Sequence, residues 1–301
     1  MNLHAAIELF LGNYRPSTRR SYMYVLRNFE SYIGPARPLS DIQAVDIIRY
    51  SQYLSQRPEI KSPVSYNKYV KTLRTFFNWC ISVQWISSSP VLAIKRQKTS
   101  NRIPRDKAFP DDALKQLLDY TRWKPREDAF VRFLADTGCR VGGAAALRVE
   151  DIDFENRKAF VIEKGKTEHR PVFFGDACAH ALRRWILQQS CKRGTYVFST
   201  DGHRMGNDHL AQFFRRTCER AGIGGYGPHS LRHRKGHQMA DNKIAPSVAA
   251  QALGHEDVSV TLNYYYPRDW ERVADVIHTL SETTENPPQI IRFEANKKRS
   301  G

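Results

Sequence analysis

The sequence predicts a mainly α-helical protein of two domains with one small β-hairpin. Its 301 residues correspond to about two domains at roughly 150 residues each. Most apolar residues recur at helical spacing, and only one pair of short segments alternates around a turn as strands do. With 41% hydrophobic and 26% charged residues, the chain has the composition of a globular protein, not of a disordered or fibrous one.

Three amphipathic segments account for most of the first hundred residues. Their apolar side chains recur every three or four positions and predict helices over 18–33, 43–55 and 63–82. Gly34 and Pro35 follow the first segment and end it, because proline cannot continue a helix. The first hundred residues are therefore expected to form helical hairpins.

The third predicted helix also has a basic stripe, formed by Lys68, Lys71 and Arg74 at intervals of three residues. A solvated face is the ordinary explanation for such a stripe. However, 47 Lys and Arg residues against 31 Asp and Glu residues give a net charge of +16, which favours a polyanionic partner. Nucleic-acid phosphates are therefore the expected contacts of this stripe.

The segment 95–107, KRQKTSNRIPRDK, is strongly basic and shows no helical periodicity. This composition is typical of a linker between domains, and a basic linker can lie along a DNA backbone. Lys95, Arg96 and Arg102 are its candidate DNA-binding residues.

Helices and one hairpin are predicted after the linker. One helix follows Pro110, and another begins after residue 125 and runs to about residue 136. The strands are expected at 158–163 and 169–174, around a turn at 164–167. Further helices are predicted to start near Asp176, Asn207, Pro228 and Pro267.

Several protein classes are excluded by what the sequence lacks. Its apolar stretches are too short to cross a bilayer, and no signal peptide is visible, so we expect a soluble cytoplasmic protein without a membrane partner. The five cysteines are scattered and never form a CxxC pair, which argues against a disulfide framework or a thiolate zinc site.

The later two-thirds of the chain contains an ordered set of basic residues that ends in a tyrosine. Each piece alone is common in proteins, but the conjunction is specific. The set comprises Arg140 after a Thr-Gly turn, Lys164 and Lys166 on the hairpin turn, His229 and Arg232 in HSLRH, His255 in LGH, and Tyr264 nine residues later.

In these motifs the chain resembles the tyrosine recombinases, the phage integrase and Xer-type family. The resemblance extends over about residues 1–280 and implies an N-terminal helical core-binding domain of the SAM-like type and an α+β catalytic domain of the DNA breaking-rejoining type. The expected bounds are 1–94 for the first domain, 95–108 for the linker, 109–284 for the catalytic domain and 285–301 for a tail.

The resemblance implies site-specific recombination through a 3′-phosphotyrosyl intermediate on Tyr264, with no metal, nucleotide or other cofactor. Arg140 and Arg232 would bind the nonbridging oxygens of the scissile phosphate, since two guanidiniums can do so bidentately. A hairpin lysine would protonate the leaving 5′ oxygen, and His229 and His255 would act as base or hydrogen-bond donors. The implied partner is double-stranded DNA with recombination sites, on which four copies assemble in the nucleoid.

Two assignments stay open at this point. Spacing selects Tyr264 as the nucleophile, with Tyr265 as the next candidate, whereas Tyr266 precedes Pro267 and is expected to pack. For the hairpin lysine, Lys166 matches the KTxxR arrangement of many phage integrases and is preferred, while Lys164 matches the KG arrangement of Xer-type members.

One departure from the family pattern supports a different hypothesis. Gly143 stands three residues after Arg140, where the family usually has an acidic residue that steadies the bases of the site. A catalytically idle DNA-binding relative is therefore an alternative to an active recombinase.

A metal-dependent nuclease is a third hypothesis. His229, His233 and His237 are spaced i, i+4 and i+8, so they share one helix face and could ligate a metal. No acidic residue or cysteine lies between them, and the positions of the arginines and the tyrosine would then be a coincidence.

Overall fold

A computed structural model describes residues 1–60, 62–99, 104–162, 168–189 and 194–266, together with 274 and 277. The chain divides into two compact units, Met1–Ser100 and Asn101–Gly301. Each unit is built mainly of helices, and the second adds one small sheet, which confirms the predicted fold class. No helix of the described residues is both long and apolar enough to cross a membrane.

The described residues of the first unit form four α-helices, and three of them confirm the predicted segments to within two residues. Helix α1 was not predicted, although its apolar side chains recur at helical spacing and five of them are buried. The helices are α1 (Leu3–Gly12), α2 (Pro16–Ile33), α3 (Ala44–Gln56) and α4 (Pro63–Ser82).

Aromatic side chains fill the core of the first unit. Phe10 and Phe76 meet edge to face with ring centroids 5.4 Å apart, and Phe29 packs on Tyr50 at 5.0 Å. The buried Tyr50 hydroxyl donates to Asn28 at 2.7 Å, so its burial leaves no polar atom unpaired. Because α4 turns its apolar stripe into this core, the opposite face is left to solvent.

The second unit contains the remaining helices and the sheet. Its elements are α5 (Asp111–Thr121), α6 (Pro125–Thr137), α7 (Val141–Ala146), β1 (Ile152–Asp153), β2 (Lys158–Ile162), β3 (His169–Phe173), α8 (Asp176–Gln188), α9 (Asn207–Arg220), α10 (Pro228–Asp241), α11 (Pro246–Leu253) and α12 (Val258–Tyr265). The two predicted strands and the predicted starts of α5, α6, α8, α9 and α10 are confirmed. The start expected near Pro267 lies outside the described residues, and β1, α7, α11 and α12 were not predicted.

The sheet places one face of β3 against the helices of this unit. Strand β2 pairs antiparallel with both β1 and β3, and Val161 of β2 lies opposite Arg170 of β3. Residues opposite each other in a sheet share a face, and so do residues two apart along one strand. Arg170 therefore shares the face of the buried residues Val161 and Val172.

Candidate active site

Two arginines that are distant in sequence approach two neighbouring turns of the second unit. Arg232 lies on α10, is 4% exposed, and donates from Nη1 to the Gly138 carbonyl at 2.9 Å. Arg140 precedes α7 and reaches the carbonyl of Gly254, which follows α11, at 3.4 Å. Backbone carbonyls thus hold guanidiniums that come from different elements of the unit.

Burial gives these guanidiniums an unusual electrostatic setting. It lowers the pKa of Arg232 to about 10, and the positive charge of Arg140 adds to the effect. Burial also lowers the pKa of Arg140, with Arg170 adding to it. Since the pKa of Arg232 stays well above 7, its side chain remains charged at neutral pH, inside a protein region that penalises charge.

One donor of Arg232 is left without a partner. Its Nη2 atom is buried and makes no hydrogen bond among the described residues, and no carboxylate there pairs with it. A buried donor without a partner carries a desolvation cost of about 1–3 kcal/mol, more when it is charged. Natural proteins keep few such groups, and a site that binds an anion is a physical reason to keep this one.

Histidines surround the arginine pair and are held neutral at pH 7. Burial, followed by the positive charge of Arg232 and Arg140, lowers the pKa of His255 to about 4. Burial and the neighbouring His229 lower the pKa of His233 to about 4 as well. The pKa of His229 is lowered by partial desolvation and by the same two arginines. Neutral imidazoles can each accept or donate one proton, so they suit proton transfer at this site.

Helix α12 brings Tyr265 among these histidines. Its side chain is 4% exposed, and its hydroxyl lies 3.1 Å from Nδ1 of His233. Its ring is nearly parallel to that of His255, with centroids 6.5 Å apart, and meets His237 edge to face at 5.3 Å. Burial raises the pKa of Tyr265, although Arg232 and Arg140 act against that rise.

Gly236 on α10 leaves the space that the Tyr265 ring occupies. A Cβ atom at position 236 would lie only 2.5 Å from Cζ of Tyr265 and 2.6 Å from Cε1. Every other residue type therefore conflicts with this position of the ring.

Tyr264, the predicted nucleophile, lies on the neighbouring side of α12. It is half-buried, its ring is 6.3 Å from that of Tyr265, and its hydroxyl makes no hydrogen bond to any described residue. Consecutive residues of a helix point about 100° apart, so the two phenols cannot take the same place at once. The hydroxyl of Tyr266 donates to the Ile244 carbonyl at 2.6 Å and ties down the end of α12.

The predicted catalytic residues thus have different outcomes. The structure brings Arg140, Arg232, His229 and His255 to one region, and Tyr264 is adjacent to it through Tyr265. Both candidate lysines, Lys164 and Lys166, lie outside the described residues. Sequence reasoning considered His233 only as a possible metal ligand, and Arg170 only as the final residue of the KTxxR arrangement that begins at Lys166. No sequence pattern predicts the contact of His233 with Tyr265 or that of Arg170 with Ala252, because the partners are far apart along the chain.

Most of the predicted DNA-binding residues are on the surface of the first unit. Lys68, Lys71, Lys95 and Arg96 are exposed. Arg74 is half-buried and donates to the Ile94 carbonyl at 2.7 Å, so part of its guanidinium is engaged within the protein. Arg102 lies outside the described residues.

Two further observations concern the alternative hypotheses. Gly143 is buried, and a Cβ atom there would lie 3.3 Å from Cβ of Val161, so a longer side chain would require Val161 to move. Within the part of the chain that the structure describes, no group of three or more His, Cys, Asp or Glu side chains is placed to hold a metal ion.

Comparison with known protein families agrees with this geometry. The model of the phage integrase family matches residues 107–271, and the model of the phage integrase SAM-like domain matches residues 4–98. The chain belongs to the phage integrase family.

Individual relatives extend the comparison along most of the chain. It is 26% identical over 276 residues to tyrosine recombinase XerC of Alcanivorax borkumensis, covering 86% of this chain and 88% of that protein. It is 26% identical over 262 residues to tyrosine recombinase XerD of Listeria innocua, covering 82% and 87%.

Two solved structures share the fold at lower identity. One is the Tn1549 transposon integrase in complex with transposon right end DNA, with a TM-score of 0.72, 17% identity, and coverage of 93% of this chain and 100% of that chain. The other is a lambda integrase dimer bound to a core site, with a TM-score of 0.66, 18% identity, and coverage of 86% and 97%.

Proposed function

We propose that the protein is a site-specific DNA recombinase, an enzyme that cuts and rejoins duplex DNA through a tyrosine–phosphate ester. The observation that carries this proposal is the buried guanidinium of Arg232, which has an unused donor and lies in the field of Arg140. A phosphodiester supplies the anion that such a pair can bind, and membership of the phage integrase family supplies the reaction class.

In the proposed reaction, each phosphate ester bond that breaks is replaced by a new one, so the number of ester bonds does not change. The tyrosine oxygen forms a bond to phosphorus, the bond from phosphorus to the 5′ oxygen breaks, and that oxygen takes up a proton. Arg140 and Arg232 stabilise the charge that grows on the nonbridging oxygens, and neutral His229 or His255 accepts or relays the phenol proton. Attack by a 5′-hydroxyl of the partner strand reverses the step, so rejoining needs no ATP and no metal.

Tyr264 is the proposed nucleophile. Its spacing from His255 supports this, and so does its hydroxyl, which makes no hydrogen bond to a described residue. Tyr265 and Tyr266 use their hydroxyls in contacts with His233 and Ile244, whereas that of Tyr264 is available among the described residues. Tyr265 is the alternative nucleophile, because Arg232 and Arg140 act on its phenol.

Several finer assignments belong to the same proposal. Lys166 is the proposed acid for the leaving oxygen, with Lys164 as the alternative, and the domain bounds at residues 94, 108 and 284 remain predictions. A homotetramer on two DNA sites is supported by the shared fold with a lambda integrase tetramer bound to a Holliday junction, which has a TM-score of 0.66. The cytoplasmic nucleoid is the proposed location.

A suicide-substrate assay tests the proposal. DNA that crosslinks to the protein is first sequenced to identify its site, and a nicked duplex of that site then traps any covalent adduct as a shifted band on a denaturing gel. The wild-type protein is expected to form the adduct equally with and without EDTA. Tyr264→Phe is expected to bind the DNA normally and form none, whereas Tyr265→Phe retains it.

Other outcomes of this assay would contradict the proposal in distinct ways. Cleavage without an adduct that EDTA abolishes would indicate the metal-dependent nuclease. Normal binding without any cleavage by the wild-type protein would indicate the idle relative. Loss of the adduct in Tyr265→Phe with its retention in Tyr264→Phe would move the nucleophile by one residue.

A further inference from the structure

Arg170 joins the sheet of the second unit to the C-terminal turn of α11. Its place opposite Val161 directs the side chain toward the buried face of β3. From there Nη1 donates to the Ala252 carbonyl at 2.9 Å and lies 3.5 Å from the Gln251 carbonyl. The last carbonyls of a helix lack intrahelical partners and carry partial negative charge, so a guanidinium is a suitable cap for them.

The same guanidinium packs directly against Gly254. A Cβ atom at this glycine would lie 2.5 Å from Nε of Arg170 and 2.9 Å from Cζ, and the backbone there has φ +67°. Both facts require glycine at position 254. The carbonyl of Gly254 faces Arg140 at 3.4 Å, so this residue lies between two arginines.

This arrangement controls the residues on either side of the turn. His255 follows Gly254 directly, and its Nδ1 lies 2.7 Å from Oγ1 of Thr261. A shift of the turn would therefore move the His255 ring and the carbonyl to which Arg140 points. Displacing a catalytic group by about 1 Å can cost roughly 100-fold in rate.

We infer that Arg170 is a positioning residue for strand cleavage, which fastens β3 to the end of α11 and so sets Arg140 and His255 at the scissile phosphate. The inference rests on the proposed function for its consequence, but the contact itself can be tested without DNA. Arg170 acts on the reaction through Arg140 and His255, whose positions depend on the turn that Arg170 fastens.

The charge of Arg170 provides a second measurable quantity, the pKa of His255, which a purely structural role of Arg170 would leave unchanged. Together with Arg232 and Arg140, Arg170 lowers the pKa of His255. The groups that face His255 are Arg232 from α10, Arg140 from the segment before α7, Arg170 from β3, and Thr261 and Tyr265 from α12.

The test compares Arg170→Gln, which keeps donors without charge, with Arg170→Lys, which keeps charge without the planar fork. Arg157→Gln is the matched control, because Arg157 lies in the turn directly before β2 and pairs with the exposed Asp176 away from the site. Three quantities are measured: the Kd for DNA, the single-turnover rate of adduct formation at saturating protein, and the pKa of His255 by NMR without DNA.

For Arg170→Gln we expect a loss of at least about tenfold in rate with a Kd within about twofold of wild type. The adduct stays on the same tyrosine, and the pKa of His255 rises. Arg170→Lys is expected to be slowed less and to keep the pKa of His255 low, and Arg157→Gln is expected to match wild type.

A wild-type rate in Arg170→Gln would overturn the inference, as would a Kd that weakens as much as the rate falls. If Arg170→Gln does not fold, Arg170→Lys decides, because a folded lysine variant with the wild-type rate contradicts the need for the fork. Absence of an adduct in the wild-type protein would refute the proposed function instead, and the NMR comparison would still report on the Arg170 contact.

Discussion

The basic residues of α4 and those of the candidate active site have opposite environments. Lys68 and Lys71 are exposed on the first unit, where water and salt screen their charge. Arg232 is almost fully buried in the second unit, and Arg140 is held there by a backbone carbonyl. Under the proposed function, the difference means that one excess of positive charge serves two purposes: the exposed lysines add affinity for DNA, and the buried arginines act on the reacting phosphate.

A second contrast lies within the second unit. Arg132 and Arg184 share the buried carboxylate of Asp128, at 2.7 Å and 2.8 Å, so each of these guanidiniums has an ion-pair partner within the protein. Arg232 has no carboxylate partner among the described residues, although it is the more deeply buried guanidinium. Stability alone does not explain a buried charge without a partner, whereas binding of an anion does.

The largest expected effect comes from Arg232→Lys, which keeps the charge and removes the planar fork. We expect the rate of adduct formation to fall by about 10²–10³, the loss typical of removing one donor to a developing anion. The measurement is single-turnover cleavage of the suicide substrate at saturating protein. Arg184→Lys is the matched control and is expected to cleave at nearly the wild-type rate, so equal losses in the two variants would contradict the contrast.

A smaller effect is expected from Gly236→Ala, because the new Cβ atom displaces the Tyr265 ring from His233. Overpacking of this kind costs about 1–3 kcal/mol. Alanine recovers about 1 kcal/mol of helix propensity, so the net loss in unfolding free energy is about 0–2 kcal/mol. Urea unfolding measures this change, and adduct formation is expected to slow about tenfold because the α12 tyrosines shift.

The control for that substitution is Gly12→Ala at the end of α1, where an added Cβ atom meets nothing within 4 Å. It is expected to leave cleavage unchanged. If Gly236→Ala cleaved DNA at the wild-type rate, the position of Tyr265 would have no bearing on the reaction.

The smallest effect on chemistry is expected from replacing Lys68 and Lys71 together with glutamine. Each phosphate contact contributes about 0.9 to the slope of log affinity against log salt, so the slope should fall by about 2. The rate of adduct formation at saturating DNA is expected to stay at the wild-type value. Binding titrations from 50 to about 200 mM salt measure the slope.

Lys115→Gln on α5 is the control for that pair, since Lys115 is exposed and lies outside the α4 stripe. Its slope is expected to match wild type. If the salt slope of Lys115→Gln fell by as much per removed charge as that of the α4 variant, then net charge, and not the α4 stripe, would determine DNA affinity.

The sequence predicts the long amphipathic helices from the periodicity of their apolar residues, and the family from the order and intervals of the motif residues. It does not predict α11 and α12, which have only eight residues each and weak amphipathic patterns. Spacing selects Tyr264, but it does not predict that the Tyr265 ring is the one packed among the histidines, since a shift of one residue rotates a helix position by about 100°. The contact from Arg170 to Ala252 joins residues 82 positions apart and exists only once the chain has folded.

Tandem mass spectrometry of the trapped adduct tests the central claim most directly. The trapped protein is digested with nuclease and protease, and the residue that carries the remaining nucleotide is located. The account predicts a phosphotyrosyl bond on Tyr264. A nucleotide on a residue outside α12, or none on a protein that has cleaved its DNA, would contradict it.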